Sequence, residues 1–306
     1  MIQRMATAWI AVLALAAAAA PLRADEVPGV PASVAANSFS VIRPLGYYAN
    51  RLGVEFLREL EGLRGDSHWI DGGSGEGVAI EQYHQLGSNP EAARFGGDEA
   101  ARIMERIGRT TPEQRARTTG ISFHMSRPGR RDYGGRLRFL TGRLMEDIPG
   151  AEIGRADLIS DVYGVFAYSN RLDMAMAQYL AALKPGGNLY IFDPQLDRTS
   201  LANGVSVLDW LGRIRGMRLE RMPGGLKITR TPEPVSIPRL KLVSEDAQNP
   251  PVRIFRELDD RLSIESAGSE SGFSSSRLDP GVAASPLPAD VIRAMDTLLG
   301  YDVMRD

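Results

Sequence analysis

The stretch at residues 69–77, which reads WIDGGSGEG, decides the fold. Residues 67–70 are predicted to form a short strand, Asp71 follows at its tip, and glycines then occur at alternate positions before a predicted helix. Glycine permits tight turns with unusual dihedral angles and lets the backbone approach a ligand closely. Open α/β sheets bind ligands at such a loop, beyond the carboxyl end of a strand. The stretch therefore predicts an α/β domain with a ligand site at residues 71–77.

The spacing of the glycines distinguishes between two classes of ligand. Dinucleotide-binding loops follow the pattern Gly-x-Gly-x-x-Gly, whereas Gly73, Gly75 and Gly77 alternate here and position 78 is not glycine. The negative charge of Asp71 would repel a pyrophosphate but would suit a cation, such as the amino group of an amino-acid-bearing ligand. The loop therefore favours an amino-acid-bearing ligand over a dinucleotide.

Predicted strands and helices alternate along the rest of the chain. Strands are predicted at 67–70, 118–125, 137–141, 156–162 and 188–192, and helices at 47–63, 78–86, 98–107, 171–183, 206–214 and 290–299. This alternation is typical of βαβ units and a mainly parallel sheet. Two later segments, 218–221 and 226–229, are predicted to pair antiparallel at the sheet edge.

Two downstream segments strengthen the interpretation of the glycine loop. Residues 156–164 (ADLISDVYG) read as a strand and its following loop, and residues 180–191 (LAALKPGGNLYI) read as a helix end, a Lys-Pro-Gly-Gly turn and a strand. With the loop, they resemble class I S-adenosylmethionine-dependent methyltransferases over roughly residues 67–195, and more weakly to about 230. The resemblance implies a Rossmann-like α/β fold with a mostly parallel seven-stranded sheet flanked by helices, and S-adenosylmethionine as cofactor.

The resemblance also implies which residues form the site. The residues expected to contact the cofactor are Asp71, Gly72, Gly73, Ser74, Gly75, Gly77, Ser122 and Asp161. Asp161 and Tyr163 are candidates for orienting an acceptor, and the catalytic residue itself is left open. No metal is implied. The reaction would be direct in-line transfer of a methyl group, assisted mainly by positioning.

The chain departs from the family pattern at two positions. The family has an acid at the end of the second strand, where a carboxylate accepts two hydrogen bonds from the ribose hydroxyls, whereas Ser122 makes one at best. The family often has an aspartate near the adenine after the third strand, and here Glu146 or Asp147 is the nearest acid. Residues 87–115 are interpreted as an insertion, and with the loop at 126–135 they are expected to shape the acceptor site.

Composition excludes several other functions. The 306 residues contain no cysteine, which excludes a disulfide framework, a thiolate metal site, a cysteine nucleophile and a lipoprotein anchor. The formal net charge of −2 creates no attractive field for nucleic acid, so none is expected as a partner. His124, at a predicted strand end, is interpreted as structural, with general-base catalysis as the alternative.

The N-terminus predicts export. Residues 1–4 carry one positive charge, residues 5–20 are uncharged and apolar, and small and polar residues follow, which is the pattern of a signal peptide cleaved after Ala24. The apolar stretch of about 16 residues is short for a spanning helix, which needs roughly 20, so no membrane span is expected after cleavage. The alternatives are an uncleaved anchor, an amphipathic helix, and a misassigned start in a cytoplasmic protein.

The predicted organisation has four parts: a signal peptide at 1–24, a linker and helix at 25–66, a methyltransferase-like domain at 67–230, and a C-terminal extension at 231–306 that is disordered over 266–288. The leading hypothesis is a methyltransferase acting on an unidentified small-molecule or protein acceptor. The alternative is an exported, non-catalytic protein that keeps the fold and binds another ligand or a partner. A third hypothesis, an aminopropyl transferase relative, also requires the acid that Ser122 replaces.

Overall fold

A computed structural model describes residues 42–87, 97–123, 133–246 and 250–264. The strands are β1 (His68–Asp71), β2 (Arg117–Ser122), β3 (Leu137–Thr141), β4 (Ala156–Asp161), β5 (Leu183–Phe192), β6 (Thr199–Leu201), β7 (Met217–Met222), β8 (Gly225–Arg230), β9 (Val235–Asp246) and β10 (Val252–Ile264). The helices are α1 (Leu45–Leu52), α2 (Val54–Gly62), α3 (Val78–Gln85), α4 (Gly97–Gly108), α5 (Gly150–Ile153), α6 (Val165–Tyr168), α7 (Leu172–Ala182) and α8 (Val207–Gly212). Short 3₁₀ turns lie at Pro112–Gln114, Met145–Asp147 and Asp193–Arg198.

Seven of these strands form one sheet, in the order β3-β2-β1-β4-β5-β8-β7. The first five in this order are parallel to one another, and β8 and β7 follow as an antiparallel pair beside β5. The fold is therefore α/β, with a mostly parallel seven-stranded sheet flanked by helices, as predicted. The strand order reverses between β1 and β4, where doubly wound sheets open a crevice for ligands.

The strand before the glycine loop joins the cores on both faces of the sheet, because successive side chains of a strand point in opposite directions. Trp69 lies on the face covered by α1 and α2, where its ring meets those of Tyr48 and Phe56 edge-on at 6.4 and 5.8 Å. Ile70 lies on the other face, in the core that includes residues of α7 and α8. Edge-to-face ring pairs contribute roughly 0.5–1.5 kcal/mol each beyond their buried area.

The single helix predicted at 47–63 is wrong, because the segment forms two helices. They meet at Gly53, whose φ of 84° lies outside the helical region and suits glycine. The apolar repeat continues through the break, since Leu52 in α1 and Phe56 in α2 are both buried in the same core. Periodicity alone therefore did not reveal the change of direction.

The Lys-Pro-Gly-Gly segment, at 184–187, lies inside β5 rather than in a turn before it. Helix α7 ends at Ala182, close to the predicted end, and Leu183 already pairs with Ala156 of β4. The pairing then resumes between Asn188 and Leu158, so the intervening residues form an irregularity in the ladder. The strand is consequently longer than the predicted 188–192.

A second sheet of three strands, in the order β6-β10-β9, was not predicted. β10 pairs antiparallel with β9 and parallel with β6. Val235, Ile237 and Phe255 of this sheet are buried in the same core as Trp210 of α8. The domain boundary at residue 230 stays a prediction, and this core extends across it.

The signal peptide, the disordered segment and the helix expected at 290–299 lie outside the described residues. Within the segments that the structure describes, no helix has the length and apolar character needed to cross a membrane.

Candidate ligand-binding site

A cavity of about 290 Å³ lies at the carboxyl ends of β1 to β4, beside the reversal of strand order. The loops after these four strands line it, together with Arg43 before α1 and Pro250 before β10. Small-molecule sites have volumes of roughly 300–1,000 Å³, so the cavity is at the lower end of that range. The predicted site residues that line it are Gly72, Gly73, Gly75, Ser122 and Tyr163.

Close packing beneath the cavity requires two of its glycines. A Cβ on Gly73 would lie 2.1 Å from Cα of Gly164, and a Cβ on Gly72 would lie 1.9 Å from Oη of Tyr179. The loops after β1 and β4 therefore touch backbone to backbone, with no space for a side chain at position 73. Gly75 adopts the left-handed conformation, with a φ of 53°, which also favours glycine.

Asp71, the acid of the glycine loop, lies behind the cavity wall and does not line the cavity. Its side chain is fully buried, and it accepts hydrogen bonds from Tyr48 Oη at 2.5 Å and Ser160 Oγ at 2.9 Å. Burial raises the pKa of this carboxyl to about 6, although both hydrogen bonds and the nearby Arg43 act in the opposite direction. Its predicted contact with a cofactor stays a prediction, and its observed contacts hold α1 and β4 against β1.

Asp161, a predicted cofactor and acceptor residue, is also absent from the cavity lining. Its Oδ1 accepts a hydrogen bond from the backbone N–H of Gly164 at 2.9 Å, and its Oδ2 accepts from Phe166 N–H at 2.7 Å and Tyr179 Oη at 2.8 Å. Burial raises the pKa of this carboxyl as well. The carboxylate shapes the loop after β4, and a direct role toward a ligand stays a prediction. Ser74 and Gly77 likewise do not line the cavity.

Tyr163 and Ser122 occupy positions from which they can contact a ligand. Tyr163 lines the cavity with a φ of 50°, which is uncommon for a residue with a side chain, and its ring meets that of Phe192 edge-on at 4.9 Å. Ser122 is the last residue of β2 and lines the cavity at the strand end where an acid was expected. Both residues therefore line the cavity, while their predicted roles stay predictions.

Arg43 is a site residue that was missed, because it lies in a segment interpreted as a linker. It lines the cavity, is 5% exposed, and donates a hydrogen bond from Nη2 to the carbonyl oxygen of Gly73. Its Nε has no hydrogen-bond partner within the described part of the chain. The only signal in the sequence was a cation between the apolar residues Ile42 and Leu45. Arg43 supplies a buried positive charge at the glycine loop.

Glu146 is the buried acid of the cavity, in the 3₁₀ turn after β3. It is 3% exposed, and its Oε1 accepts a hydrogen bond from Ser169 Oγ at 2.6 Å. Its Oε2 has no partner among the described residues, and burial raises the pKa of the carboxyl. A buried carboxylate oxygen without a donor is unfavourable, so a hydrogen-bond donor on a ligand would relieve it. Asp147, the other acid considered, does not line the cavity and pairs with Arg171.

His124 and most of the loop at 126–135 lie outside the described residues, so their predicted roles stay predictions. No group of three or more potential metal ligands occurs among the residues that the structure describes.

No protein-family model and no curated protein matches this chain. Several solved structures are similar at low scores. MnmC2 from Aquifex aeolicus is 14% identical with a TM-score of 0.34, over 61% of this chain and 60% of that one. The mycinamycin pathway methyltransferase MycE, in complex with Mg and SAH, is 14% identical with a TM-score of 0.34, over 63% and 54% of the two chains. This chain therefore spans less than two thirds of both proteins.

A third structure is the glycopeptide N-methyltransferase MtfA in complex with S-adenosyl-L-homocysteine. It is 12% identical with a TM-score of 0.29, over 69% of this chain and 71% of that one. Because the identities and TM-scores are this low, the fold assignment rests on the strand order of the sheet and not on these similarities.

Proposed function

We propose that the cavity binds S-adenosylmethionine and that the protein is a methyltransferase. The observation that carries this proposal is that one cavity contains a buried cation and a buried acid on different loops. Arg43 lies at the glycine loop, and Glu146, with its unpartnered oxygen, lies after β3. S-adenosylmethionine has the complementary arrangement, with a carboxylate at its amino-acid end and an exocyclic amine on its adenine.

The amino-acid end of the cofactor would lie at the glycine loop. Arg43 would bind the carboxylate, because a guanidinium matches the planar geometry of that group. Gly72 and Gly73 line this end of the cavity and present only backbone atoms to the ligand. The carbonyl of Gly73 accepts a hydrogen bond from Arg43 and so fixes the guanidinium at this end of the cavity.

The adenine would lie at the end of β2 and β3. Apolar side chains line the cavity there, from Ile121, Phe123, Leu144 and Met145. They suit the two faces of a flat ring, and Oε2 of Glu146 would accept a hydrogen bond from the exocyclic amine. Glu146 would thus take the place of the aspartate that the family often has after this strand.

Ser122 would make one hydrogen bond to a ribose hydroxyl in place of the usual carboxylate. When bound, the cofactor supplies an electrophilic methyl group on its sulfonium. The protein's part is to hold the reactants in line and to exclude water, with Tyr163 and the loop after β4 facing the acceptor. The acceptor is a small molecule or a protein, and nucleic acid is not expected.

The second candidate function is an exported binding protein that does not catalyse a reaction. Two observations favour it: Ser122 stands in place of the ribose-binding acid, and Asp71 is engaged by Tyr48 and Ser160 behind the wall. Under this hypothesis the cavity takes a different ligand that also carries an anion and a hydrogen-bond donor.

Binding of S-adenosylhomocysteine and S-inosylhomocysteine tests the assignment of Glu146, because the second compound has a carbonyl in place of the exocyclic amine. We expect the wild-type protein to prefer the adenosyl compound about tenfold or more, since hydrogen bonds to charged groups contribute roughly 1.5–3 kcal/mol. Glu146→Gln should narrow or reverse the preference, because the glutamine amide can donate to the carbonyl. Titration calorimetry measures both affinities.

Asp147→Asn is the matched control, since it removes the neighbouring acid that does not line the cavity. It should keep the preference of the wild-type protein. Equal affinities of the wild-type protein for the two compounds, or the same loss of preference in Asp147→Asn, would contradict the role given to Glu146.

A further inference from the structure

Arg253 of β10 is a fully buried guanidinium in the second sheet, outside the predicted methyltransferase-like domain. The residue pairs with Thr199 of β6 on one side and with Glu245 of β9 on the other. Its side chain lies over the ring of Phe255, with Cζ 5.6 Å from the ring centre. Burying a guanidinium is unfavourable unless its donors are used, so its hydrogen-bond partners identify what the residue does.

Those partners belong to the segment that forms the β4 side of the cavity. Nη1 donates to the carbonyl oxygen of Ser169, and Nη2 donates to the carbonyl of Phe166 at 2.7 Å and to Oγ1 of Thr199 at 2.9 Å. Both carbonyls lie in or directly after α6, a four-residue helix that is too short to be stable alone. The second sheet therefore binds this segment at two carbonyls through Arg253, and Glu245 of β9 accepts a hydrogen bond from the next residue, Asn170, at 2.9 Å.

A hydrogen bond connects this segment to Glu146, the buried acid that lines the cavity. Ser169, whose carbonyl Arg253 binds, donates from its hydroxyl to Oε1 of Glu146 at 2.6 Å. Val165, Tyr168 and Ser169 line the cavity beside Glu146. A displacement of Ser169 would therefore move the cavity wall and would also release the Glu146 carboxylate.

We propose that Arg253 is a positioning residue that fixes residues 165–169 and, through Ser169, orients Glu146 toward the ligand. The effect of Arg253 on ligand affinity rests on the proposed function, whereas its role in fixing residues 165–169 does not. The planar fork of arginine reaches both carbonyls at once, which the single ammonium of a lysine cannot do. The C-terminal sheet thus contributes to the site without touching the ligand through this residue.

Amide hydrogen exchange of the full chain tests the proposal, with Arg253→Lys compared with Arg230→Lys. Arg230 is the matched control, because it is only 2% exposed and donates to a helix carbonyl, that of Leu180, which does not line the cavity. We expect both variants to unfold at lower temperature. Only Arg253→Lys should raise exchange over residues 163–170, by about tenfold or more, and only it should weaken S-adenosylhomocysteine binding about tenfold.

Wild-type exchange over residues 163–170 in Arg253→Lys, or an equal increase in Arg230→Lys, would overturn the proposal. If the wild-type protein itself binds no S-adenosylhomocysteine, the proposed function fails, and the exchange comparison still decides the role of Arg253. If Arg253→Lys does not fold, Thr199→Val removes one acceptor of the same guanidinium. Thr199→Val should raise amide exchange over residues 163–170 by a smaller factor. Unchanged exchange over these residues in Thr199→Val would likewise overturn the proposal.

Discussion

Replacing Gly73 with alanine is expected to destabilise the protein by about 3 kcal/mol, the upper part of the range for overpacked sites. The added methyl would lie 2.1 Å from Cα of Gly164, so two backbone segments rather than a flexible side chain would have to move. These segments are the loops after β1 and β4, which line the cavity, so the two loops would move apart. We therefore also expect binding of S-adenosylhomocysteine to weaken at least tenfold. Urea unfolding and titration calorimetry measure the two effects.

Gly62→Ala is the control for this substitution. Gly62 is the last residue of α2, and a Cβ there would meet no atom within 4 Å. Alanine should be neutral or stabilising by up to roughly 1 kcal/mol, because glycine is the poorer helix former. A Gly73→Ala protein as stable as the wild type would show that the contact with Gly164 is not close.

Replacing Asp71 with asparagine is expected to change how stability depends on pH. Burial raises the pKa of Asp71 from 3.8 to about 6, so the native state keeps this proton at pH values where the unfolded chain has lost it. The stability that this group contributes is present below pH 3.8 and is lost as the pH rises to about 6. A shift of about two pKa units corresponds to roughly 3 kcal/mol. The free energy of unfolding of the wild type, minus that of Asp71→Asn, should fall by most of that amount between pH 4 and pH 7.

Taking this difference removes the contributions of Asp161 and Glu146, whose pKa values burial also raises and which both proteins retain. Tyr48→Phe gives an independent check. The Tyr48 hydroxyl donates to Asp71 and lowers its pKa, so its loss should extend the fall in stability to higher pH. A difference between wild type and Asp71→Asn that does not vary with pH would contradict the raised pKa.

The sequence was sufficient to predict the parallel part of the fold because local patterns specify it. β3 occupies the predicted residues, Leu137–Thr141, and the glycine loop begins directly after β1. The second sheet was not predicted, because β9 and β10 carry charged residues along much of their length and Pro238 lies within β9. Their buried positions, such as Ile237 and Phe255, become recognisable only against α7 and α8.

The site was predicted less well than the fold, and the reason is tertiary. A motif places residues at a strand end but does not specify what covers them. Asp71 is turned into the core because Tyr48, 23 positions earlier in the chain, donates to it from α1. Arg43 lines the cavity because it lies in the same N-terminal segment, directly before α1. Glu146 was noted as the nearest acid after β3, but only the structure shows its buried, unpartnered oxygen.

Titration of the purified full chain with S-adenosylmethionine and S-adenosylhomocysteine tests the central claim most directly. Binding of both compounds with a dissociation constant in the micromolar range, roughly −8 kcal/mol, is the result that the proposed site predicts. The absence of heat and of thermal stabilisation at millimolar concentrations of either compound would contradict it. In that case the cavity serves another ligand, and the non-catalytic binding protein becomes the better account of this fold.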